Sequence, residues 1–158
     1  MGITGAINTE TEVFFYHLEN RSLEQVLPTL LERSIERGWR AVVQASSKER
    51  VEALNTALWT FREDSFLPHG DSSDGTAAAQ PIFLTDEEDN PNDASVRFLV
   101  DGATLEDAAS YARVVHVFDG HDEDAVTRAR SAWADAKDKG YGVSYWQQDG
   151  DGRWQKKA

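Results

Sequence analysis

The chain has 158 residues, 40% hydrophobic and 28% charged, with four prolines and eleven glycines. That is the length of one domain, and the composition excludes a collagen, a low-complexity linker and a fully disordered chain. With no cysteine it has no disulfide framework, iron–sulfur cluster, cysteine-based zinc finger or cysteine nucleophile. The 28 acidic residues outnumber the 16 basic ones to give a net charge of −12, spread over both halves, and such a field repels nucleic acid at long range.

No run of 18 apolar residues occurs, and the opening MGITGAINTETE has neither the basic nor the apolar part of a signal segment. The expectation is a soluble cytoplasmic protein with no membrane contact. Residues 1–11 read as a flexible leader and 12–158 as a single α/β domain.

In chain order, Glu12 to Leu18 (EVFFYHL) predicts a strand rich in aromatic and β-branched residues. Ser22 to Arg37 predicts a helix, with Leu23, Val26, Leu27, Leu30, Leu31 and Ile35 on one face and Ser22 and Gln25 forming a capping box. Pro28 falls inside this pattern and predicts a bend or a late start. Trp39 to Ala45 predicts a second strand, and Ser46 with Glu49 opens a helix with Val51, Leu54 and Leu58 inward. Further strands are expected at Gln80 to Thr85, Val96 to Val100 and Arg113 to Phe118, with an acidic loop at 85–93 and a short helix capped by Thr104 and Asp107. Asp122 to Lys139 is the strongest helix, its acids at the start and lysines near the end. Tyr141 to Gln148 alternates as an edge strand, and a polar tail follows, Trp154 excepted. The alternation of strands and helices predicts a Rossmann-like fold: a mixed, mostly parallel sheet flanked by helices.

The chemistry is bounded by what is missing. A dinucleotide site needs a glycine-rich turn after the first strand, whereas this turn reads HLENRS; no Walker loop or nucleophile elbow occurs. The four histidines lack metal-ligand spacing, so neither a metal, a cofactor nor a catalytic residue is expected. Two features remain. The segment LWTFREDSFLPHG places Trp59, Phe61, Phe66, Leu67 and Pro68 just after a helix, either as a core plug or as anchors for a partner. The late helix carries Arg128, Arg130 and Lys137 near Trp133, an arrangement suited to a peptide carboxylate or, equally, to neutralising Asp122, Asp124 and Asp135. Stacking of single-stranded DNA on Trp146 and Trp154 is conceivable but would need a basic groove that the sequence does not display.

Several segments together resemble the chi subunit family of the bacterial DNA polymerase III holoenzyme. They are VFFYHLENRSLEQVLPTLLERSIERGWRAVVQASS, VEALNTALWTFREDSFLPHG, YARVVHVFDG, the ARSAW helix and YGVSYWQQDGDGRWQKK. The resemblance implies a non-catalytic accessory subunit on a Rossmann-like domain that has lost nucleotide binding. It implies a link between the clamp loader and single-stranded DNA-binding protein, made by gripping the latter's acidic C-terminal tail, with nucleic acid met only indirectly. Carried onto this chain, Arg130 would pair with the tail carboxylate, the terminal phenylalanine would sit near Phe118 and Trp133, and Arg128 and Lys137 would assist. Trp59, Phe61, Phe66, Leu67 and Pro68 would face the psi subunit or another loader subunit. A Rossmann-like nucleotide-binding enzyme is the alternative reading.

Overall fold

Runs of β-branched and aromatic residues separated by capped amphipathic segments give eight strands and three α-helices among the described residues, which in this computed structural model are 11–60, 69–71 and 77–158. The strands are β1 (Glu12–Leu18), β2 (Ala41–Gln44), β3 (His69–Asp71), β4 (Ile82–Thr85), β5 (Val96–Leu99), β6 (Arg113–Asp119), β7 (Gly142–Gln148) and β8 (Trp154–Lys156). The helices are α1 (Leu23–Glu36), α2 (Lys48–Trp59) and α3 (Glu123–Asp138). They build one sheet in the order β3-β4-β2-β5-β6-β1-β7-β8, parallel throughout except for the β7–β8 pair. The fold is thus a single Rossmann-like α/β domain with a mixed, mostly parallel sheet.

Alternation along β1 divides the core. Val13 and Phe15 enter the cluster under α3 with Ala129 and Ala136, while Leu18 joins Leu27, Leu31, Val43 and Leu54 under α1 and α2. Central strands β2, β4 and β5 are buried along their whole length, as parallel strands covered on both faces must be.

The sequence expectations need correcting at several points. α1 does not start late: it begins at Leu23 and continues through Pro28, although the proline removes the donor that the Glu24 carbonyl would receive. The Ser22–Gln25 capping box and the burial of Leu27, Leu30 and Leu31 outweigh that loss. α2 is capped by Ser47, whose hydroxyl accepts from the Arg50 amide, and not by Ser46. The turn near Thr104 becomes a 3-10 helix at Ala108–Ser110 without a side-chain cap. β7 is no edge strand: it pairs with β1 on one side and with β8, drawn from the supposed tail, on the other.

Candidate functional site

Crossovers carry α1 from β1 toward β2 on one face and α3 from β6 toward β7 on the other, so the chain reverses direction at the β1–β6 pair. In doubly wound sheets that reversal opens a crevice at the carboxyl ends of the strands. Here a cleft of about 690 Å³ lies there, lined among others by Arg21, Arg50, Asp101, Phe118, Asp119 and Arg128. Arg50 bridges Glu24 and Asp101, at 2.9 Å each, and its guanidinium holds the Glu24 carboxyl below its ordinary range.

The turn that would cradle a phosphate is occupied from within. The backbone amides of Glu19, Asn20 and Arg21 all donate to Oε1 of Gln148, at 2.9, 3.1 and 3.2 Å. Side chains stand where glycines would let a pyrophosphate approach, and the amides are committed to β7. Among the described residues no group of three metal-ligating side chains comes together.

An aromatic cluster lies beside this crevice on the α3 face. Parallel registration of β1 with both β6 and β7 brings together Phe15, His17, Phe118 and Tyr145, and α3 lays Trp133 against them. Ring centroids separate Trp133 from Tyr145 by 5.9 Å, Phe118 from Tyr145 by 6.0 Å and Phe15 from Trp133 by 5.6 Å. His17 Nδ1 lies 2.7 Å from the Tyr145 hydroxyl and its Nε2 2.7 Å from Glu19 Oε1. Gly120 permits this close fit, since a Cβ there would stand 2.0 Å from His17 Nε2. Burial raises the Tyr145 phenol above its ordinary pKa; the charge of Arg130 opposes this and that of Glu19 adds to it.

Arg130, Trp133 and Lys137 fall at i, i+3 and i+7 on one side of α3, with Lys137 Nζ 5.7 Å from the Trp133 ring centroid. Arg130 is exposed and has no ion-pair partner among the described residues. Two of the three local acids are engaged elsewhere: Asp135 pairs with Lys139 at 3.0 Å, and the Asp122 carboxylate caps the helix through the amides of Asp124 and Ala125. Arg128 stands apart from this group. It flanks the opposite side of the buried Ala129–Ala136 stripe, packs over Gly102 and lines the crevice, with Phe118 between the two flanks.

Trp59 ends α2 beside the β3 edge, 54% exposed, with its ring 4.4 Å from that of His69. Phe61, Phe66, Leu67 and Pro68 lie outside the described residues. His17, Glu19 and Tyr145 escaped the sequence reading; their one signal was period-two alternation in β1 and β7, which says nothing of which strands become neighbours.

A family model for the DNA polymerase III chi subunit, HolC, matches residues 11–144. The chain belongs to the chi subunit family. A relative from Rickettsia prowazekii (strain Madrid E), "Probable DNA polymerase III subunit chi", is 31% identical over 103 residues, 65% of this chain. The chain spans 62% of that relative's length. The chi match takes in β1, the crevice and all of α3, and ends at Ser144, before Tyr145 and β8.

Proposed function

We propose that this chain is a non-catalytic accessory subunit of the replicative DNA polymerase, linking the clamp loader to single-stranded DNA-binding protein by binding its acidic C-terminal tail. Arg130 carries the reading: an arginine without an ion-pair partner among the described residues, at the rim of the Trp133–Tyr145–Phe118 cluster, in a molecule of net charge −12. A free carboxylate preceded by an apolar ring satisfies both halves of such a site, the guanidinium taking the charge and the aromatics the ring. Arg128, on the far flank of Phe118, meets acidic residues upstream of the terminus, and Lys137 adds positive field. Trp59 stands on the opposite face, near the other edge of the sheet, where the psi subunit or another loader subunit can dock while the tail is held.

Titration with a fluorescent acidic peptide ending in Asp-Ile-Pro-Phe tests this. Binding should require the free carboxylate, fail for the amidated copy and weaken with salt. Arg130→Ala should cost about 2–3 kcal/mol of binding with the fold intact. Unchanged affinity in that variant removes Arg130 from the site.

A further inference from the structure

The face of the sheet opposite α3 carries a second set of aromatic and basic residues that the tail-binding reading does not use. α1 packs on β2 and β6, which leaves Phe14 and Tyr16 of β1, Trp146 of β7 and Trp154 of β8 half-buried at the side of the helix. They form one aromatic band, with Tyr16 4.7 Å from Trp154 and 6.5 Å from Trp146 by ring centroid. Two clefts open along it, of about 410 Å³ beside Trp154 and about 370 Å³ beside Tyr16, sharing Leu30 and Arg33 at their junction.

The charge here is the reverse of the molecule's. Five arginines line the two clefts: Arg21, Arg33 and Arg153 at the first, and Arg37 and Arg113 joining Arg33 at the second. Glu36 is the one carboxylate among the described lining residues. Arg21, Arg33 and Arg153 have no ion-pair partner among the described residues, whereas Arg113 is held by Glu12 at 2.8 Å. Gly152, at φ +78°, lets Arg21 lie against it, since a Cβ there would stand 2.9 Å from Arg21 Nε.

A buried donor adds an independent observation. Gln148 lines the first cleft and is 4% exposed, and its Nε2 has no partner among the described residues. Its orientation is fixed, because Oε1 already accepts from three backbone amides and a flipped amide would set donor against donors. The cleft therefore combines cations and an aromatic ring, with the buried Gln148 amide in its wall.

We infer that this face of β1, β7 and β8 binds single-stranded nucleic acid, with bases against Trp154 and Tyr16 and phosphates at Arg21, Arg33 and Arg153. Aromatic side chains on an open sheet face flanked by arginines are the means by which sheet proteins hold unpaired bases. A purely acidic chain such as polyglutamate would use the arginines but has no ring to set against Trp154 and Tyr16. The net charge of −12 does not forbid the contact, since at physiological salt fields are screened beyond about 8 Å and the local arginines dominate. The sequence concealed this groove because its arginines come from the turn after β1, from α1, from the start of β6 and from the β7–β8 turn.

The test is fluorescence anisotropy of the full chain with a labelled oligothymidylate of twenty nucleotides, alongside a duplex, an oligouridylate and polyglutamate as competitors. Binding is expected at 50 mM salt, falling about 20-fold at 200 mM if three phosphates are neutralised. Arg33→Glu combined with Arg153→Glu, at exposed positions, should weaken it at least tenfold. Trp154→Ala should cost about 5-fold or more while Trp154→Phe retains binding. Arg130→Ala should leave it unchanged, so failure here and failure of the tail reading are told apart. Oligouridylate binding equally well would show that the sugar is not read and would still support the proposal. Absence of binding at 50 mM salt overturns the inference. So does competition by polyglutamate equal to that by the oligonucleotide, with Trp154→Ala without effect.

Discussion

Arg97 sits fully buried in β5, and a charge there survives only because every arm of the guanidinium is met. Nε and Nη2 donate to Gln44 Oε1 at 2.9 and 2.7 Å, and Nη1 to the Asp89 carbonyl and the Tyr111 hydroxyl at 2.7 and 3.0 Å. Nη2 also reaches the Glu87 carbonyl. The acidic segment that looks in sequence like a solvated loop is thus pinned to the sheet by its backbone. Arg97→Lys should destabilise the fold by about 3 kcal/mol in urea unfolding, because one ammonium cannot span these acceptors and some of these buried oxygens lose their donor. A second residue sets a pH limit. Burial lowers His116 from the usual 6.5 to about 4, its ring stacked at 4.6 Å on Phe15. The unfolded chain takes up this proton at a higher pH than the folded one. Stability is therefore complete above pH 6.5 and lost as pH falls toward 4, by up to about 3 kcal/mol. The stability lost between pH 7 and pH 5 in urea unfolding should be smaller in His116→Phe by about 2 kcal/mol.

At the scale of elements, the close approach of Gly120 to β1 ties the start of α3 to the aromatic cluster. Gly120→Ala should cost about 1–3 kcal/mol of stability, since its methyl collides with His17 and drives that ring from Tyr145. The same variant should weaken the acidic peptide, and unchanged affinity would separate His17 from the pocket. β1 was legible in the sequence from its run of aromatic and β-branched residues, and α1 and α3 because each writes a helical period over a long stretch with a cap at its start. β3 and β8 were not, being three residues each and held by their partner strands more than by any pattern of their own. The candidate site divided in the same way. Arg130, Trp133 and Lys137 share one helix and are readable from spacing, whereas His17 and Tyr145 meet across 128 residues through registry that no local pattern encodes.

For the whole molecule, the two sides of one sheet carry unlike surfaces. The α3 side presents Arg130 beside a compact aromatic pocket; the α1 side presents a longer basic and aromatic track; Trp59 stands near the far edge. A rigid parallel sheet keeps them apart, so occupants need not exclude one another. The capture of three amides of the β1–α1 turn by Gln148 bears also on how the chain assembles. That turn is written near the beginning of the chain, yet its hydrogen bonds are completed by a residue that leaves the ribosome more than a hundred positions later. Until β7 arrives, the entry to the first helix has no fixed acceptor for these groups. Gln148→Leu should recreate that unfinished state in the finished protein, and hydrogen exchange should then speed up at Glu19, Asn20 and Arg21 while the centre of α1 stays protected. Exchange unchanged at those three amides would mean that the turn holds its own shape from the moment of synthesis.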